Sequence, residues 1–180
     1  MSPSKLPGGP TQDEVMAVAL FKLGLRDGDC MVDVGCGTGK VSIAAARMGV
    51  NVVAIDRRAE AIRFAKKESE REGLKNIKFF CTEATNFLED DGRIFDCAFV
   101  GGSHGLAEFL PVLAKRVQRR IVVNAVLVST LQAAVDTMQE LGIFDEVVQV
   151  QIARSHAIAG SIMFRPIDPV YVIVGRGAAC

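Results

Sequence analysis

Val32-Asp33-Val34-Gly35-Cys36-Gly37-Thr38-Gly39 is the stretch on which the reading of this chain turns. The apolar run at 31–34 has the composition of a short buried strand, and the segment at 40–48 has the apolar spacing of a helix. Glycines at alternate positions between a strand and a helix mark the edge where open α/β sheets take their ligands. Lacking Cβ atoms, they let a ligand approach the backbone amides. A dinucleotide-binding fingerprint needs its third glycine three residues after Gly37, but that position holds Lys40 and the third glycine is Gly39. The spacing therefore speaks against a nicotinamide cofactor.

Outward from this loop the two periodicities alternate. Further strands are expected at 52–55, 77–81, 96–100 and 121–126, with helices at 59–72, 106–117 and 130–141. Gly73 is placed to close the helix at 59–72 as its C′ residue. Two last strands, at 146–152 and 170–174, have no helix between them and are expected to form an antiparallel hairpin. The stretch between them, 154–169, reads as a loop. Before the first strand, Thr11-Gln12-Asp13-Glu14 has the form of a capping box that opens a helix running to Leu23. The first ten residues, with three prolines, read as an extended arm. Apolar strands separated by helices imply a doubly wound, mostly parallel seven-stranded sheet covered on both faces, an α/β fold in one domain over 1–180.

Composition agrees. A chain of 180 residues, 49% of them apolar, buries about 70% of its unfolded surface and needs neither disulfides nor structural metal. Its 21 Lys and Arg balance 21 Asp and Glu, so no overall field draws it to nucleic acid. Cys30, Cys36, Cys81, Cys97 and Cys180 are scattered, with no paired spacing. They read as reduced thiols, mostly buried, in a cytoplasmic protein without a metal site. Cys36 has no visible base partner and reads as a small loop residue. No apolar run reaches the roughly 18 residues of a membrane span, and no signal core opens the sequence.

The acidic-x-Gly-x-Gly-x-Gly pattern of 33–39 resembles motif I of the class I methyltransferases dependent on S-adenosylmethionine, whose loop wraps the methionine part of the cofactor. Asp56 ends the second strand, where a carboxylate can accept both hydroxyls of a ribose, and family members use the matching residue in this way. The whole chain is similar to the decarboxylating precorrin and cobalt-precorrin carbon-15 methyltransferases of corrin (cobalamin) biosynthesis. Gly8-Gly9-Pro10-Thr11-Gln12-Asp13-Glu14, Val32 to Gly39 and Ala54-Ile55-Asp56-Arg57 carry that similarity. Phe99-Val100-Gly101-Gly102-Ser103 and Pro169-Val170-Tyr171-Val172-Ile173, before Gly175-Arg176, complete it. The chain departs at His104, where relatives commonly have another glycine, and at Asp168-Pro169 in place of a common Asn-Pro.

The resemblance implies a Rossmann-like class I methyltransferase with S-adenosylmethionine as cofactor and S-adenosylhomocysteine as product. It implies methylation of carbon 15 of cobalt-precorrin-6B or precorrin-6B, with loss of carbon dioxide from the neighbouring acetate arm, in a homotetramer. Cofactor contacts are implied for Thr11, Asp33, Gly35, Cys36, Gly37, Thr38, Gly39, Asp56, Arg57, Glu83, Ala84 and Gly101. The tetrapyrrole substrate carries many carboxylates, which makes His104, Arg154 and Arg165 the substrate-side candidates; no catalytic residue is assigned. Other readings stay open at this stage. One is a methyltransferase acting on another small molecule, RNA or protein, although no Asn-Pro-Pro-Tyr-type tetrapeptide is present. Another is a catalytically silent S-adenosylmethionine-binding subunit that scaffolds a partner.

Overall fold

The computed structural model describes residues 9–178. Along the chain run α1 (Asp13–Leu23), β1 (Cys30–Val34), α2 (Lys40–Arg47), β2 (Asn51–Asp56), α3 (Ala59–Arg71), β3 (Ile77–Cys81) and α4 (Ala84–Asp90). Then follow β4 (Phe95–Val100), α5 (Leu106–Ala114), β5 (Val117–Ala125), α6 (Val128–Glu140), β6 (Phe144–Ile158) and β7 (Ser161–Arg176). The seven strands make one sheet in the order β3-β2-β1-β4-β5-β7-β6. The first five are parallel, and β7 is antiparallel to both of its neighbours. Strand order reverses between β1 and β4, so the connections leaving these strands diverge and open a crevice at their carboxyl ends.

Alternation along the strands builds two cores. Val32, Val34, Ala98, Val100, Ile121 and Val123 point to the layer of α4, α5 and α6, where Phe87, Leu88, Phe109, Leu113 and Met138 are buried. Met31, Cys97, Phe99, Val122, Val172 and Val174 point to the opposite layer with Val15, Leu23, Val41, Ala45 and Ile62 of α1, α2 and α3. Strands apolar on both sides are what a sheet sandwiched by helices requires.

Several expectations need correction. The capping box does not form: α1 begins at Asp13, Gln12 is its N-cap, and no side chain caps it. Glu14 instead accepts from Arg154 at 2.7 Å, and the Thr11 carbonyl accepts from Lys40. The helix expected to reach 117 stops at Ala114, because Val117 already starts β5. The short α4 was not anticipated. Its seven residues offer only Phe87 and Leu88 to the core, too few for a periodic signal.

The largest difference is the stretch 154–169. It is a continuation of the β6–β7 ladder, with Arg154 opposite Arg165 and Ile158 opposite Ser161. Ala159 and Gly160 close it with φ of 47° and 75°, positive at both central residues as a two-residue hairpin turn demands. Pro166 stands opposite Ala153 in the ladder, and the register slips between Val150 and Ile152, a bulge that absorbs Pro169. Cys36 and Cys97 are buried, Cys30 is half-buried and Cys81 is exposed. Cys180, Gly8 and most of the expected N-terminal arm lie outside the described residues. No described helix is long and apolar enough to cross a membrane.

Candidate active site

Two cavities lie along the carboxyl edge of the sheet and share Gly35, Arg58 and Gly101. The first, above β2 and β3, is walled by Asp56, Arg57, Thr82, Glu83 and Ala84, with Ser103 and His104 from the segment after β4. The second, above β1, β4 and β5, is walled by the glycine loop, by Gly9 to Gln12, and by Val15, Val41, Phe99, Asn124, Asp168 and Val170.

The glycine loop works by shape more than by donating hydrogen bonds. The amides of Gly35 and Cys36 donate to the Ile55 carbonyl at 2.8 and 2.9 Å, Gly37 donates to Asp56 Oδ2 at 2.9 Å, and Gly39 to the Cys36 carbonyl. All four are engaged within the protein, which corrects the expectation that they stand bare for a ligand. A Cβ on Gly35 would lie 2.6 Å from the amide nitrogen of Gly102, and one on Gly39, 2.7 Å from the Cβ of Ala65. Those two glycines let the loop press on the β4 segment and on α3. Only at Gly37 does the missing Cβ face open crevice, its nearest neighbour being Arg58 at 3.8 Å.

Asp33 lies beneath the loop, fully buried, and lines neither cavity. Its Oδ2 accepts from Ser42 Oγ at 2.5 Å, while Oδ1 has no partner among the described residues. Burial pushes its carboxyl up to about 7, with the nearby Asp56 charge adding to the rise. Cys36 is shifted the same way: burial first, then Asp33 and Asp56, push its thiol up, so it is no nucleophile at neutral pH.

Asp56 is buried, and burial alone would raise its carboxyl. Hydrogen bonds from Arg58 and the Gly37 amide outweigh that and hold it below the usual range. Oδ1 accepts from the Arg58 amide at 2.9 Å and from Nε at 3.0 Å; Oδ2 accepts from the Gly37 amide and from Arg58 Nη2, both at 2.9 Å. A carboxylate offers about four such sites, and here all are filled. Asp56 is thus held by Arg58, a residue the sequence reading passed over.

The remaining expected residues divide. Thr11, Cys36 and Thr38 line the second cavity, while Arg57, Glu83, Ala84 and His104 line the first; Arg57 and Glu83 face each other at 3.7 Å. Gly39 lines neither. Arg154 and Arg165 also line neither: both sit exposed on the hairpin, Arg154 tied to Glu14. Lys40, the residue that breaks the dinucleotide fingerprint, reaches up to the Thr11 carbonyl at 2.6 Å and Asp13 Oδ1 at 2.7 Å. It pins the segment from Gly9 to Gln12 as a roof over the second cavity.

Asn124 was also missed. It stands near the end of β5, and both of its amide atoms are shielded from solvent with no hydrogen-bond partner among the described residues. Leaving such a group unpaired costs about 1–3 kcal/mol. Asn124 is the one polar residue in the run Ile121 to Val126, and that was the available signal.

A parallel sheet with a reversed seventh strand, and a glycine loop facing an acidic end of β2, are the architecture and site of a class I methyltransferase. The model of the precorrin methyltransferase domain matches residues 7–175. The chain is 47% identical over 176 residues, 96% of each protein, to a probable cobalt-precorrin-6B C(15)-methyltransferase (decarboxylating) of Methanosarcina acetivorans. Among solved structures it is similar to the precorrin 8W decarboxylase of Methanobacterium thermoautotrophicum, at a TM-score of 0.90 and 33% identity, covering 97% of this chain and 95% of that one. The precorrin-6y C5,15-methyltransferase of Geobacter metallireducens is similar at 0.89 and 31%, covering 98% and 94%. This chain belongs to the precorrin methyltransferase family.

Proposed function

We propose that this protein transfers a methyl group from S-adenosylmethionine to carbon 15 of cobalt-precorrin-6B and releases carbon dioxide from the neighbouring acetate arm. The observation that carries the reading is the pair of joined cavities, one suited to a nucleoside and one to a sulfonium and its acceptor, in a chain so similar to the Methanosarcina enzyme.

The residues fit this cofactor. If the Arg58 side chain gives up Nε and Nη2, one acceptor site opens on each Asp56 oxygen, as many as the two ribose hydroxyls need. Glu83 and Ala84 then wall the base. At the other end Gly37 leaves room for the methionine, and the ionised carboxylate of Asp56 favours a positively charged ligand.

When bound, S-adenosylmethionine supplies a methyl already activated by positive sulfur for in-line displacement by an electron-rich ring carbon. That transfer leaves one positive charge on the macrocycle. Loss of carbon dioxide from the acetate carboxylate returns the pair of the broken carbon–carbon bond to the ring and cancels the charge. The balance needs no acid or base from the protein. The protein's contribution is alignment, which can supply about 7–11 kcal/mol, under a roof that keeps water from the sulfonium. We further read the protein as a cytoplasmic homotetramer joined through the hairpin tip, whose Ile158, Ile162, Met163 and Phe164 are exposed.

Incubation with cobalt-precorrin-6B and S-adenosylmethionine, followed by mass spectrometry, tests the reading. A product that gains one methyl and loses carbon dioxide is expected. Methyl gain alone would discard the decarboxylating role, and an unchanged substrate would discard the acceptor.

A further inference from the structure

Asn124 belongs to the sheet face of Val122 and Val172, the layer that also holds the buried Asp33–Ser42 pair. Asn124 lines the second cavity, whose apolar wall is Val15, Val41, Phe99 and Val170 and whose charged lining is Lys40, Arg58 and Asp168. An amide with both polar atoms buried and unpaired, at a place where Val would pack, is a group set aside for a ligand. The strand order says which ligand. A nucleoside over β3 and β2 leads to a sulfonium over β1 and β4, so β5 is the next strand, on the side from which an acceptor must reach the methyl.

We infer that Asn124 is the residue that positions the acceptor, its Nδ2 donating to a substrate carboxylate. This rests on the function proposed above. The cations of the same cavity are engaged elsewhere, Lys40 with Asp13 and the Thr11 carbonyl, and Arg58 with Asp56. A neutral amide suits a carboxylate that must leave as carbon dioxide. A guanidinium would grip the charged form with bonds roughly twice as strong and so oppose its departure.

The test compares wild type with Asn124→Leu and Asn124→Ser. Three quantities are followed: S-adenosylhomocysteine affinity by calorimetry, cobalt-precorrin-6B affinity in its presence by absorbance titration, and the urea midpoint. In both variants the acceptor is expected to bind about tenfold or more weakly and KM to rise, while cofactor affinity stays within about twofold. The midpoint of the Leu variant should not fall, because an unpaired amide has been removed; the Ser variant serves if that protein does not fold. Acceptor affinity unchanged in a folded variant overturns the inference. So does a tenfold loss of cofactor affinity with the acceptor unaffected, which would assign Asn124 to the cofactor. Wild type that binds cofactor but not cobalt-precorrin-6B overturns the functional reading, and this inference with it, a result distinct from the other two.

Discussion

Asp33→Asn is expected to make the protein more stable at neutral pH and to erase part of its pH dependence. The unfolded chain ionises this carboxyl near its ordinary 3.8, whereas burial holds it at about 7 in the folded protein. Between those two values the folded state keeps a proton that the unfolded state has released, so stability falls as pH rises. The contribution is complete below about pH 4 and gone above about pH 7. At about 1.4 kcal/mol per pH unit the whole window spans about 4 kcal/mol. The substituted amide still offers an oxygen to the Ser42 hydroxyl and carries no charge at any pH. Urea unfolding of both proteins at pH 5 and pH 8, without cofactor and at one protein concentration, isolates the difference. The variant should gain about 3 kcal/mol on wild type between these two pH values. A difference constant to within about 0.5 kcal/mol would refute the claim that Asp33 folds in its protonated form.

Asp56→Ala should weaken S-adenosylmethionine binding by about 1.5–3 kcal/mol, more than tenfold, and Arg58→Ala should tighten it severalfold by removing the competing ion pair. Calorimetry on the two variants checks both signs, and equal losses would mean that Arg58 holds the cofactor instead of guarding its site. Phe164→Asp should lower the mass seen by light scattering while leaving cofactor affinity intact. An unchanged assembly would exclude the hairpin tip as the contact.

The parallel half of the sheet was legible because its signals are local. Met31–Val34, Val52–Ile55 and Asp96–Val100 are apolar on both faces, and Gly35 to Gly39 fall between a strand and a helix. The outer hairpin was not legible. Its residues from Arg154 to Asp168 are mostly exposed, so no alternation of buried positions marks them, and Pro166 and Pro169 argue for a loop. Asp56 and the walls of the crevice follow from strand ends. The engagement of Arg58 and the isolation of Asn124 depend on contacts between β2 and its own following turn, and between β5 and the α1–α2 layer, which no spacing encodes. The three glycines were recognised for one reason and conserve space for another: two of them serve packing on Gly102 and Ala65.

The two lysine and arginine latches over the crevice differ in how they meet salt. Lys40 closes the roof through Asp13, which is 72% exposed, whereas Arg58 lies across the first cavity on Asp56, which is 3% exposed. Dissolved ions screen the first pair and scarcely touch the second. Raising ionic strength therefore weakens the Lys40 latch over the second cavity and leaves the Arg58 latch in place.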